Sequence, residues 1–211
     1  MVEQFDEMRA AMVASQLRPN GVDDPALLTA ILATPREDFV PAARRMLAYA
    51  DIQHPIAPGR FLNTPTVQGR LLGALQVRPG ERVLIVGAGT GYVAAVLAQM
   101  GAQVVALESE AAFLAQLQAL PVDVVDGPLP HGAGAAAPFD AILIDGAVEV
   151  VPDALIAQLG PNGRLAAGLV DNGPTRLALG RKGRSGFAMV PFGDADVAIL
   201  PDFVRPPSFV F

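Results

Sequence analysis

The sequence predicts an α/β fold: a mostly parallel sheet with helices on both faces, a helical N-terminal extension and antiparallel C-terminal edge strands. Three observations carry this. From residue 80 onward, short β-branched runs alternate with helix-spaced segments. A glycine turn, Gly87-Ala88-Gly89-Thr90-Gly91, joins the first such run to the helix after it. The first 50 or so residues carry apolar positions at helical spacing.

In chain order, residues 6–16 read as a helix with Met8, Ala11, Met12 and Ala14 on its apolar stripe. Residues 25–33 form a second, with Asp24 as N-cap and Pro25 at the first helical position. Residues 41–47 form a third, and the proline-rich stretch 53–59 reads as a loop. Residues 65–75 place Val67, Leu71, Leu72 and Leu75 along one stripe. Strands are predicted at 83–86, 104–107, 123–125, 139–144 and 164–170, with helices at 92–100, 111–119 and 152–159. Pro161-Asn162-Gly163 is a turn. Residues 177–179, 187–191 and 197–200 read as antiparallel edge strands.

With 211 residues and 52% apolar side chains, the chain suits one domain with a sizeable core. We divide it into a helical extension and acceptor loop (1–64) and a core (65–211). The net charge of −6 argues against a nucleic-acid partner. Arg176, Arg181, Lys182 and Arg184 read as a solvated loop or hairpin. No cysteine is present, which excludes disulfides, thiolate metal sites and cysteine nucleophiles. His54 and His131, near prolines, do not make a metal site, so no metal is expected. Residues 83–107 carry no charge, but Gly87, Gly89, Gly91 and Gly101 punctuate the run, so it reads as strand, turn, helix and strand rather than a membrane span. The acidic start, with Glu3, Asp6 and Glu7, lacks the layout of a signal peptide, and the expected location is cytoplasmic.

The glycine spacing is informative. A dinucleotide fingerprint would place its third glycine at position 92, where Tyr92 stands. Glycines at 87, 89 and 91 after a strand suit a nucleoside without a pyrophosphate, and the prime candidate is S-adenosylmethionine. Glycine permits positive φ and lets a ligand lie against the backbone, while the following helix offers free N–H groups to a carboxylate.

In an open parallel sheet, ligands bind at the carboxyl ends of the strands. Four segments converge there. Gly87, Ala88, Gly89, Thr90 and Gly91 form the first. Glu108, 17 residues after Gly91 (108 − 91), can accept from both ribose hydroxyls, with Glu110 its competitor. Asp126 and Gly127 either receive an adenine amino group or make a simple turn. Asp145, ending its strand, either faces the reactive sulfonium or the ligand ammonium, or caps a helix.

Taken together, the chain resembles the protein-L-isoaspartate O-methyltransferase family. The resemblance rests on Met12-Val13-Ala14-Ser15-Gln16-Leu17-Arg18, Gly21-Val22, Asp24 and Pro35-Arg36-Glu37-Asp38-Phe39-Val40-Pro41. It continues through Pro79 to Leu84, Val86 to Tyr92, Phe139-Asp140-Ala141-Ile142 and Gly163-Arg164-Leu165, with an echo in Phe203-Val204-Arg205-Pro206. It implies a Rossmann-like class I S-adenosylmethionine-dependent methyltransferase fold and carboxyl methylation of isoaspartyl residues in proteins or peptides; a monomer in the cytoplasm is expected.

Three positions depart from the pattern. Asn63 stands where the family has the serine of its acceptor loop, with Thr64 offering a displaced hydroxyl; these two are the candidate catalytic residues. Ile85 stands where the family usually has an acid, and Asp145 is the acid available to replace it. The segment from Glu108 to Asp126 is short. The alternatives are a degenerate member that binds S-adenosylmethionine or a partner without isoaspartyl turnover, and methylation of another acceptor.

Overall fold

A computed structural model describes residues 2–170, 174–184 and 186–203. Helix α1 (Val2–Met12) runs on into a wider π turn, Val13–Leu17, which buries Val13 and Leu17. Helix α2 (Pro25–Ala33) begins as its sequence requires: the Asp24 carboxylate accepts from the backbone N–H of Ala26 at 2.8 Å and of Leu27 at 3.1 Å. Residues 42–47, expected as an α-helix, form a tighter 3₁₀ helix with no side-chain cap.

The stretch 53–59 is not a loop throughout. Strands β1 (His54–Ala57) and β2 (Arg60–Leu62) pair antiparallel, turning at Gly59 with φ +68°. The pairing shifts between Pro55 and Ala57, and proline at such an irregularity costs no ladder bond. This hid the hairpin from a reading based on proline content. Next, Thr64 caps helix α3 (Pro65–Leu75) by accepting from Val67 N–H at 3.2 Å.

The core follows as β3 (Arg82–Val86), α4 (Tyr92–Gln99), β4 (Gln103–Glu108), α5 (Ala111–Gln118), β5 (Asp123–Asp126), β6 (Phe139–Val148), α6 (Asp153–Ala157), β7 (Leu159–Val170), β8 (Thr175–Gly183) and β9 (Gly186–Asp194). The seven-stranded sheet has the order β5-β4-β3-β6-β7-β8-β9. It is parallel through β7, and β8 and β9 add antiparallel. Val83, Leu84, Ile85 and Val86 are all fully buried, as a central parallel strand covered on both faces must be. Alternation sends Val83 and Ile85 to a core packed by α2, α3 and α4, and Leu84 and Val86 to a second core closed by α6.

Two boundaries differ from expectation in ways that bear on the site. Strand β6 runs four residues past Ile144, so Asp145 and Gly146 lie within a strand and Asp145 caps no helix. Residues 197–200 form no edge strand. A single parallel bridge joins Ile199 to Ala147, with Ala147 N–H donating to Ala198 O and Leu200 N–H to Ala147 O. The segment therefore crosses beside β6 and sets Leu200 over the glycine turn. The turn at 161–163 survives as an interruption of β7: Asn162 has φ +60°, and pairing jumps from Phe139↔Leu159 to Ala141↔Arg164. The basic cluster at 176–184 lies on β8 and its turn, where Lys182 Nζ donates to Leu159 O at 2.6 Å. Residues 204–206 of the family echo lie outside the described residues.

Candidate functional site

The carboxyl ends of β3, β4, β5 and β6 adjoin. Glu108 is the register partner of Asp126, and Asp145 follows the Val86↔Ile144 pair. The glycine turn adopts the conformation that only glycine takes at little cost. Gly87, Gly89 and Gly91 have φ of +77°, +55° and +92°. The Gly87 and Ala88 N–H groups both donate to Leu107 O, tying the turn to the end of β4. Gly91 is the N-cap of α4 and no side chain caps that helix. Thr90 is buried, and its hydroxyl has no hydrogen-bond partner among the described residues.

Glu108 is fully buried and accepts five hydrogen bonds. Three come from backbone N–H groups: Gly89 at 2.6 Å, Ser109 at 2.9 Å and Glu110 at 3.0 Å. Two come from Arg60 of β2, with Nη1 on Oε1 at 2.7 Å and Nη2 on Oε2 at 2.8 Å. Burial alone would raise the Glu108 carboxyl, but Arg60 and the backbone donors outweigh it and hold it below the usual range. Burial opposes the Arg60 charge in turn, and Glu108 overrides it to raise the guanidinium. The competitor, Glu110, is exposed at the N-cap of α5 and contributes its backbone N–H alone to this carboxylate.

A second cluster joins the N-terminal extension to β6. Asp145 Oδ1 accepts from Asn63 Nδ2 at 2.8 Å, and Oδ2 from Gln68 Nε2 at 2.9 Å. The completely buried Arg36 donates Nη1 to Gln68 Oε1 at 2.6 Å, Nε to Ala48 O at 2.9 Å and Nη2 to Asn63 O. Its guanidinium lies 4.6 Å from the centre of the Tyr92 ring. Burial pushes the Asp145 carboxyl above its ordinary value, although the Asn63 and Gln68 donors and the Arg36 and Arg60 charges oppose it. By strand alternation Asp145 faces the same side of the sheet as Leu143, the register partner of Ile85. An acid thus stands on the same face as Ile85, on the neighbouring strand. Ile85 itself is packed in the apolar core.

The structure thus brings together Gly87 to Gly91, Glu108, Asp126, Gly127 and Asp145, with Asn63 drawn in by Asp145. Gly127 N–H donates to Glu108 O at 3.1 Å, and Asp126 is exposed at the strand end. Thr64 follows Asn63, its hydroxyl oxygen accepting from the α3 backbone. Sequence reasoning missed Arg60 and Gln68, and it met Arg36 only inside a motif. Arg36 is flanked by Glu37 and Asp38 and Gln68 by Gly69 and Arg70, so their local sequence reads as solvent-facing although both are buried. Nothing local marks Arg60 as the partner of a residue 48 positions away.

Comparison with known proteins decides the family. The family model for protein-L-isoaspartate(D-aspartate) O-methyltransferase matches residues 8–189. A protein-L-isoaspartate O-methyltransferase of Methylorubrum extorquens (strain PA1) is 46% identical over 194 residues, covering 89% of this chain and 85% of the relative. This chain belongs to the protein-L-isoaspartate(D-aspartate) O-methyltransferase family. A second relative, protein-L-isoaspartate O-methyltransferase 1 of Rhodopseudomonas palustris (strain HaA2), is 40% identical over 76% of this chain and 69% of its own. Among solved structures, a Plasmodium falciparum chain bearing this family's name, in complex with S-adenosyl-L-homocysteine, superposes with a TM-score of 0.76 at 18% identity. It covers 94% of this chain and 98% of that one, and supports the class I methyltransferase fold. Among the described residues, no helix is long and apolar enough to cross a membrane.

Proposed function

We propose that the chain is an S-adenosylmethionine-dependent methyltransferase that esterifies the free carboxylate of L-isoaspartyl residues in proteins and peptides. Family membership supports the reaction. The geometric observation that carries the donor is Glu108, fully buried at the end of β4 beside three left-handed glycines. Its two oxygens match a vicinal diol, the ribose edge of the donor.

The residues present fit that donor. Leu200, Ile56 and Leu120 crowd the positions where Cβ atoms of Gly87, Gly89 and Gly91 would stand, so the turn admits glycine alone there, and the Thr90 hydroxyl, without a partner among the described residues, lies within the same turn. We assign Gly87, Ala88, Gly89, Thr90 and Gly91 to the methionine end, Glu108 to the ribose, and Asp126 with Gly127 to the adenine. Asp145 faces the donor ammonium and replaces the acid absent at Ile85. Asn63 and Thr64 hold the acceptor loop against the methyl.

When bound, the donor supplies a methyl carbon made electrophilic by its sulfonium. The acceptor carboxylate is already ionised near neutral pH, so the protein need not remove a proton. With that donor held in line, a carboxylate oxygen would take the methyl carbon, the electron pair of the broken carbon–sulfur bond staying on sulfur. The work left to the protein is alignment of oxygen, carbon and sulfur, together with a site that excludes water. Asn63 and Gln68, fastened to Asp145, hold the acceptor loop and α3 for that alignment.

We also propose that 1–64 and 65–211 act as one unit, a cytoplasmic monomer that does not bind nucleic acid. The continuous core shared by α2, α3 and α4, the net charge of −6 and the absence of cysteine support this. The function is tested by methyl transfer to an isoaspartyl peptide alongside calorimetric titration with S-adenosylhomocysteine. Turnover with binding is the expected result. Binding without turnover would mark a degenerate member, and turnover on a different acceptor alone would reassign the substrate.

A further inference from the structure

The two Glu108 oxygens proposed for the ribose hydroxyls are both engaged by Arg60, whose side chain is 3% exposed. Arg60 is not part of the sheet that carries Glu108. It sits on β2 of the separate two-stranded hairpin, and a two-stranded hairpin has little stability of its own. The same hairpin sets Ile56 against the glycine turn. A Cβ built on Gly89 would come within 2.9 Å of Ile56 Cδ1, and one on Gly87 within 3.5 Å of Arg60 Nη2. Leu200 closes the other side, 3.1 Å from the same Gly87 position. The hairpin therefore lies over the surface that the donor would occupy.

We propose that the β1–β2 hairpin is a latch on the donor site, locked by Arg60 on Glu108 and released when the ribose hydroxyls take the place of the guanidinium. The inference rests on the donor assignment above. Exchange at this carboxylate is local: the N–H groups of Gly89, Ser109 and Glu110 stay on Glu108, and two hydroxyls replace two guanidinium nitrogens. The displaced cation keeps acidic company, because Asp145 and Glu110 also act on its charge. Arg60 is followed after two residues by Asn63 and Thr64, which Asp145 and the α3 backbone hold, so the hairpin moves while the acceptor loop stays anchored.

Removing the guanidinium should ease donor binding, since the donor then no longer competes for Glu108. The test is calorimetric and stopped-flow titration of wild type and Arg60→Gln with S-adenosylhomocysteine. The variant should bind about tenfold tighter, equivalent to about 1.4 kcal/mol, mostly through faster association. Arg60→Lys, which cannot span both oxygens, should fall between the two and serves if the glutamine variant does not fold. Unchanged or weaker binding by the variants, with wild type still binding, overturns the latch and leaves the donor assignment standing. Folded wild type and variants that all fail to bind overturn both. Binding by Arg60→Gln but not by wild type overturns release by the ribose and makes Arg60 a fixed block on the donor site.

Discussion

The Asn63 side-chain amide donates to Asp145 Oδ1 at 2.8 Å, fastening the loop before α3 to β6. The same nitrogen lies 3.2 Å from Asp145 O. Asn63→Ala leaves that buried carboxylate one donor short, a loss of about 1–3 kcal/mol. We expect lower stability in chemical denaturation and a fall in kcat/KM for isoaspartyl peptide, with affinity for S-adenosylhomocysteine little changed. Full activity in Asn63→Ala would remove the residue from the acceptor site.

Glu108→Ala should weaken S-adenosylhomocysteine binding by more than tenfold, since two hydrogen bonds to a charged group are lost. It also leaves Arg60 buried without its partner, which costs about 3–5 kcal/mol. The double variant Arg60→Gln/Glu108→Ala separates the two effects: stability should return in large part while affinity stays low. Recovery of affinity in the double variant would show that Glu108 does not hold the ribose.

Gly89→Ala places a Cβ at φ +55° and 2.9 Å from Ile56 Cδ1. The backbone term alone costs about 1–2 kcal/mol, and the added methyl stands where the donor would lie. Thermal denaturation should show a lower Tm, and calorimetry a larger loss of donor affinity than the stability change explains. A variant with wild-type affinity would place the donor elsewhere.

His54 is fully buried on β1, and burial together with the Arg36 and Arg44 charges pushes its imidazole down to about 4. The unfolded chain takes up that proton near pH 6.5, so between about pH 6.5 and 4 the unfolded state binds more protons than the native one. Stability is therefore complete above pH 6.5 and declines as the pH falls toward 4. His54→Phe should flatten this part of the Tm-against-pH curve; an unchanged slope would trace the acid sensitivity to other groups.

Much of the architecture is legible in local chemistry. Asp24 followed by Pro25 dictates a helix start, and the apolar run at 83–86 reads as a strand buried on both faces because it is one. The 87/89/91 spacing announces a turn whose glycines all prove left-handed. What escapes is set by contacts distant in sequence. The hairpin at 54–62 is held by Arg60 reaching Glu108 and by Gln53 reaching Asp196 O, 143 residues away. The 197–200 segment reads as a strand from its apolar residues, yet Ala147 offers it a single bridge. The roles of Gln68 and Arg36 depend on Asn63 and Asp145 meeting across 82 positions, which no local pattern encodes.

The central claim is methyl transfer to an isoaspartyl carboxylate. It is tested most directly by incubating the protein with S-adenosylmethionine labelled on its methyl group and a matched pair of peptides, one isoaspartyl and one normal aspartyl. Base-labile label on the isoaspartyl peptide alone is the predicted result. Label on neither peptide, from folded protein that binds S-adenosylhomocysteine, would contradict it.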